Sequence, residues 1–221
     1  MLSVIVYFLL FLILYHYFIF PMLVFFISKK IKNIDENERY INPKVSVIFT
    51  AYNEEKYIEA RLNNLLKMDY PFDKYEIIVY SDASDDNTNN IIENYEKKFS
   101  NIKKLISNER RGKTFGQNES FKLSTGEIII FTDTKALFEV NTIKNLVKAF
   151  FKDNNVACVA GKFNYKSEDN VNMEGLYVKY ENKIKEMESR CGLLIGAFGP
   201  IYAIRRENYR NAYDDFDFEK V

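Results

Sequence analysis

Tryptophan is absent from the 221 residues, histidine occurs once, at His16, and cysteine twice, at Cys158 and Cys191. With no CxxC pair and no His-rich stretch, the two thiols support neither a disulfide framework nor a zinc site; they read as buried structural thiols of a reducing compartment. The lack of tryptophan reflects composition and carries no chemistry. Net charge is missing too: 31 Lys+Arg offset 31 Asp+Glu, so the global balance offers nothing to nucleic acid or another polyanion. Two nucleotide-binding fingerprints are also absent. No GxGxxG follows the first strand-like run and no GxxxxGK[ST] occurs anywhere, which removes the dinucleotide fold and the P-loop as readings.

From Met1 to Ile27 there is no charged side chain. The run is dense in Leu, Ile, Val and Phe and longer than the roughly 20 apolar residues that cross a bilayer. A basic n-region and a small-residue cleavage site are both wanting, so a retained anchor over 1–28 is expected rather than a removed signal peptide. His16 and Pro21 read as structural within or near the end of that run. Lys29, Lys30 and Lys32 follow at once, and the positive-inside rule then assigns the remainder to the cytoplasmic side of the cell membrane, behind a single span. A polar segment, 29–43, serves as linker, and a soluble domain is expected over 44–221.

After Pro43, β-branched runs alternate with helical patterns. VSVIFT (45–50) is followed by a helix over 54–68, EIIVYS (76–81) by TNNIIENYEKKF (88–99), and IKKLIS (102–107) by a helix near 114–123. EIIIFT (127–132), a helix near 142–151, VACVAGKF (156–163), an exposed amphipathic helix over 174–190 and the strand IYAIRR come next. This is the pattern of βαβ units and a mostly parallel sheet with flanking helices, an α/β fold. Such sheets bind ligands beyond the carboxyl ends of their strands. Polar residues stand at three of those ends: Asn53 and Glu54, Asp82, and Asp133.

VSVIFTAYNEE, VYSDASDDNT, RRGKTFGQN, IIIFTDTKALFE and GAFGPIYAIRRE, in that order over about 45–210, resemble the ordered landmarks of family 2 glycosyltransferases. The resemblance implies a GT-A fold and an inverting transfer of a sugar from a nucleotide-sugar donor, a UDP-sugar, to a saccharide or lipid-linked acceptor. It further implies Mg²⁺ or Mn²⁺ as cofactor. Thr50, Tyr52, Asn53 and Glu54 would line the nucleoside pocket and Asp82 would meet the base or ribose. A carboxylate can accept from an imide N–H or from ribose hydroxyls, although Asp82 can equally cap its own turn. Asp85 reads as structural or solvated, and Asp86 as the cap of the following helix. Arg111 and Lys113, flanking Gly112, resemble a basic element that suits a diphosphate.

FTDTKA falls where the family carries its DxD-like metal motif. Asp133 is the first carboxylate, but Lys135 stands where an Asp or Asn is usual, and an ammonium cannot ligate a cation. Asp133 with diphosphate oxygens can suffice for a hard cation; Lys135 either points away or neutralises phosphate. Gly196 and Gly199 resemble the turn bordering the acceptor. Asp215, in YDDF, corresponds to the general base, with Asp217, Asp214 or a solvated acidic tail as alternatives because the preceding loop is several residues short of the family spacing.

The chain reaches Val221 without the QxxRW-type element and later membrane helices of membrane-bound members, so the catalytic domain is expected to be C-terminally incomplete. That leaves a non-catalytic nucleotide-sugar-binding stub, or half of a split enzyme with a downstream-encoded partner, as an alternative. A membrane-anchored nucleotidyltransferase on a similar sheet is a third.

Overall fold

The computed structural model describes residues 2–30, 42–152, 156–161, 176–192 and 200–210. The chain divides into two compact units, one of residues 1–35 and 164–196, the other of 36–163 and 197–221.

In the first unit, α1 (Leu2–Leu14), a π-helical turn (Tyr15–Ile19) and α2 (Phe20–Lys30) form one helical run. Residues 3–29 are long and apolar enough to cross a membrane, and almost every side chain is exposed. Pro21 lies inside this run, not at its end. A proline ring clashes with the carbonyl four residues back and has no N–H to donate. The wider π turn just before it, with the Phe20 N–H bonded to Tyr15 O, absorbs that misfit. The amphipathic helix α7 (Leu176–Arg190) is less exposed than its charges suggest, because it packs on α2. Tyr180 donates its hydroxyl to Tyr17 O at 2.6 Å, Cys191 Sγ lies 3.8 Å from Val24 O, and Val24, Ser28 and Met187 are buried. Contrary to the expectation of buried thiols, Cys191 is only half-buried and Cys158, on a short edge strand, is exposed.

The second unit is a six-stranded sheet in the order β3-β2-β1-β4-β6-β5. It comprises β1 (Val45–Ala51), β2 (Tyr75–Asp82), β3 (Ile102–Ser107), β4 (Ile128–Asp133), β5 (Cys158–Ala160) and β6 (Ile201–Arg205). The first four run parallel; β6 is antiparallel to both β4 and β5. Alternation within the strands sorts their side chains onto two faces. Val45, Val47, Phe49, Ile77 and Val79 pack under α3 (Ile58–Leu65), α4 (Thr88–Lys98) and α6 (Thr142–Lys152). Ile48, Ile78, Ile129 and Phe131 face α5 (Lys113–Leu123) through Phe121, with Tyr202, Ile204 and Tyr209 alongside.

The expected helix over 54–68 begins only at Ile58. The backbone N–H groups of Asn53, Glu54 and Glu55 are committed elsewhere, to Ser84 Oγ, Thr88 Oγ1 and Asp86 Oδ2. At the amino ends of the strands, buried Glu76 accepts from Ser46 Oγ, Thr125 N and Thr125 Oγ1, and its other oxygen pairs with Lys103 at 2.7 Å. Burial pushes the Glu76 carboxyl up, but these donors outweigh it and hold the group down at about 2. Arg205, which ends β6, and Arg206, which follows it, serve this end of the sheet. Arg205 donates to Val156 O and Phe150 O, and Arg206 to Gly126 O and Ser124 Oγ.

Candidate functional site

Four loops meet at the carboxyl ends of the parallel strands, those following β1, β2, β3 and β4, which is where such sheets bind ligands. The first two are stitched together. Asn53 and Asp85 exchange two hydrogen bonds, Asn53 Nδ2 donating to Asp85 Oδ1 at 2.6 Å and Asp85 N to Asn53 Oδ1 at 3.0 Å. Asp86 accepts from Thr88 N and from Glu55 N, but it stands one residue before Asn87, the residue that occupies the N-cap position of α4 in place of the expected Asp86. Asn53 (φ 52°) and Ala83 (φ 60°) both sit in the left-handed region. For Ala83 this is strain of about 1–2 kcal/mol, held in place by the surrounding loop contacts.

Asp82 ends β2 and is nearly buried. Its Oδ1 accepts from Arg111 N at 2.8 Å and its Oδ2 from Gly112 N at 2.9 Å. It therefore acts first as the anchor of the turn that leads into α5, with further lone pairs left over. Gly112 has φ 86°, and a Cβ there would meet nothing within 4 Å, so backbone conformation rather than space selects glycine. One turn further on, a Cβ at Gly116 would lie 2.5 Å from the Tyr80 ring and 2.6 Å from Thr50 Cγ2. The first turn of α5 thus rests directly on β1 and β2.

This close approach carries Lys113 across to the end of β4, where its Nζ meets Asp133 Oδ1 at 2.5 Å. Lys135 turns the other way. Its Nζ lies 3.6 Å from Glu54 Oε1 and 4.8 Å above the Tyr57 ring. Arg110 stacks 3.8 Å over Tyr52, and Arg111 lies 4.8 Å over Phe115. Thr50 contributes its carbonyl, which accepts from Thr134 Oγ1 at 3.2 Å. All eight residues singled out for the donor, Thr50, Tyr52, Asn53, Glu54, Asp82, Arg111, Lys113 and Asp133, thus lie at one edge of the sheet. Gly196, Gly199, Asp214, Asp215 and Asp217 fall outside the described residues.

Among the described residues no cluster of three or more His, Cys, Asp or Glu could cage a metal ion. Asp133, with its side chain 43% exposed, instead fits a hard cation that takes one carboxylate from the protein and the rest of its shell from water and phosphate.

The residues beneath Asp133 did not stand out in the sequence. Arg61 of α3 is completely buried, with its Nη2 donating to Thr132 Oγ1 at 2.9 Å and its Nη1 to Asn64 Oδ1 at 3.1 Å. Its guanidinium lies 4.1 Å over the Phe138 ring. Burial pushes its pKa down to about 9, against the opposing pull of Asp133. The signal was present: Ile58, Arg61, Leu62 and Leu65 form one i, i+3, i+4, i+7 stripe.

A mostly parallel sheet flanked by helices, with its loops gathered around an exposed carboxylate and several cations, defines a GT-A-like α/β domain. The family model of Glycosyl transferase family 2 matches residues 46–211, and the chain belongs to that family. It is 36% identical over 124 residues to the probable glycosyltransferase YdaM of Bacillus subtilis, covering 55% of this chain and 30% of YdaM. Against the poly(ribitol-phosphate) beta-N-acetylglucosaminyltransferase TarS of Staphylococcus aureus it is 34% identical over 102 residues, 46% of this chain and 18% of TarS. Among solved structures it resembles the mannosyltransferase PcManGT from Pyrobaculum calidifontis in complex with GDP-Man and Mn²⁺. The TM-score is 0.66 and the identity 28%, over 87% of this chain and 54% of that one. It also resembles S. aureus TarS 1–349 in complex with UDP-GlcNAc, with TM-score 0.51 and identity 32%, over 60% of this chain and 36% of that one. The chain therefore spans about a third or less of the length of these two curated relatives.

Proposed function

We propose that this protein transfers a sugar, with inversion, from a nucleotide-sugar donor to a saccharide or lipid-linked acceptor at the cytoplasmic face of the membrane. The observation that carries the reading is the convergence of Asp82, the Arg111–Gly112 turn, Lys113 and Asp133 at one edge of the sheet in a member of this family. Binding of UDP-GlcNAc by TarS and of GDP-Man by PcManGT supports a nucleotide sugar as donor. A UDP-sugar is the donor we favour.

In this mechanism the nucleoside lies against Thr50–Glu54 and Asp82, and its diphosphate faces Lys113, Arg111 and Asp133. Asp133 would hold Mg²⁺ or Mn²⁺, which when bound spreads the charge of the diphosphate. Lys113 then exchanges its carboxylate partner for phosphate oxygen, adding a charge-assisted hydrogen bond. The acceptor hydroxyl gives its proton to a carboxylate, assigned to Asp215, as its oxygen bonds to the anomeric carbon. The bond to the diphosphate breaks on the opposite face, inverting that carbon, and the basic groups stabilise the departing charge. Gly196 and Gly199 would border the acceptor.

Incubation of the full chain with UDP-sugars should release nucleoside diphosphate. Release of pyrophosphate would instead identify a nucleotidyltransferase. Donor binding with no release under any acceptor would identify a nucleotide-sugar-binding protein, or half of an enzyme awaiting a second chain.

The Asp82→Ala variant should bind nucleoside diphosphate more weakly by roughly 1.5–3 kcal/mol, the range for hydrogen bonds to a charged group. It loses a ligand acceptor and also frees the two N–H groups that shape the 111–112 turn. Calorimetry showing unchanged affinity in the folded variant would leave Asp82 as a turn anchor alone.

Topology is tested separately. With the uncharged run as a single span and lysines after it, a reporter active only in the cytoplasm should work when fused after Val221. Digestion of the domain by protease added from outside the cell would reverse that orientation.

A further inference from the structure

Arg61 is an expensive residue to place where it is. A buried cation normally faces a carboxylate, yet both of its hydrogen bonds go to neutral groups, a hydroxyl and a carboxamide, and its Nε has no partner among the described residues. The neutral partners share one property: they control the two ends of the turn after β4. Thr132 immediately precedes Asp133. Asn64, held by Arg61, grips Phe138 twice, accepting from its N–H at 2.8 Å and donating to its carbonyl at 2.8 Å. The Phe138 ring lies under the guanidinium. Between these two points the chain turns, with Ala136 N bonded to Asp133 O and Thr134 Oγ1 bonded to Thr50 O. One side chain of α3 therefore ties down both ends of the 133–138 segment from below.

We propose that Arg61 is a positioning residue for the donor: through Thr132 and the Asn64–Phe138 pair it fixes the 133–138 turn, and with it the aim of the Asp133 carboxylate toward a metal-bound diphosphate. The proposal rests on the role given above to Asp133. A planar guanidinium suits this task because its fork donates in two fixed directions, which a lysine ammonium does not.

The test uses the full chain in detergent, titrated with UDP and with GDP, each with excess Mn²⁺ and with chelator; the quantity read is the gain in affinity that Mn²⁺ confers. Arg61→Met fills the space without the charge, and replacing a buried ion by a packed apolar side chain is often neutral or stabilising. The expected result is a melting temperature equal to or above that of the parent, an unchanged affinity in chelator, and a Mn²⁺-dependent gain reduced at least tenfold. Thr132→Val, which removes only the hydroxyl that Arg61 meets, should reduce the same gain while the guanidinium stays in place. A folded Arg61→Met protein with the parent's gain overturns the proposal. If Arg61→Met does not fold, Thr132→Val decides: a reduced gain supports the clamp, and a folded variant with the full gain overturns it. A parent protein that binds neither nucleotide, or binds without any Mn²⁺-dependent gain, defeats the functional reading itself, so the two failures are distinct.

Discussion

Asp133→Asn is expected to slow sugar transfer by roughly 10²–10³-fold, because losing the carboxylate that would hold the cation removes that cation's electrostatic help to the departing diphosphate. The substitution preserves shape and leaves an oxygen at the end of β4, but that oxygen is neutral and a poor ligand for a hard cation. It also dissolves the Lys113–Asp133 pair. Lys113 then loses its carboxylate partner, so nucleoside diphosphate affinity in the presence of chelator should hold or rise while the response to Mn²⁺ disappears. Initial rates and calorimetry across a Mn²⁺ titration separate the two effects. A variant that retains both the parental rate and the parental Mn²⁺ response would remove Asp133 from the site. Lys135 offers no substitute carboxylate, and it is engaged with Glu54 and Tyr57 on the other side of the turn.

The largest effect on stability is expected at Glu76. This carboxylate accepts three hydrogen bonds and one ion pair in a buried setting, and Glu76→Ala strands Ser46 Oγ, Thr125 N and Thr125 Oγ1 at once. The loss should be about 3–5 kcal/mol, as for other buried ionic groups deprived of a partner. For a domain of this size that is a fall of roughly 6–20 °C in melting temperature. The pH dependence has a definite sign. Folding lowers the Glu76 pKa from the ordinary 4.5 to about 2, so the unfolded chain binds the proton more readily. The stabilisation is then complete above about pH 5 and is lost as pH falls toward 2, amounting to ~3 kcal/mol at 1.36 kcal/mol per pH unit. Melting curves of parent and variant should accordingly differ most near neutrality and draw together as the pH falls toward 2. A constant difference at every pH would show that the carboxylate's charge is immaterial.

The sequence made the sheet legible because strand alternation and the lengths of the intervening helices dictate a parallel α/β core, and all four parallel strands lie within a residue or so of where the apolar runs place them. Asp82 and Asp133 were legible for a related reason: a polar residue closing an apolar run must emerge at the carboxyl edge. Direction was not legible. Nothing in IYAIR tells a strand whether to run with or against β4, and β6 runs against it. Arg61 stayed hidden because a charged residue on a surface helix ordinarily faces water, and only its place in the stripe of Ile58, Leu62 and Leu65 shows that it points inward. Whether Pro21 lay inside the helical run or near its end was not legible either, because the π turn that accommodates it has no sequence signature.

The missing side chain at Gly116 works as a ruler. Its contact with the Tyr80 ring and Thr50 sets the stand-off between α5 and the sheet, and Lys113 and the Arg111–Gly112 turn are within five residues of it. Those cationic elements and the two aspartates they meet are therefore spaced by one backbone-to-ring contact, not by their own flexible arms. Variation that retunes donor choice can exchange the side chains of the cradle one at a time. A methyl group at 116 would meet the Tyr80 ring at 2.5 Å and Thr50 Cγ2 at 2.6 Å, so α5 or those side chains must give way, and a position in contact with no ligand in the proposed mechanism would still disturb the cradle.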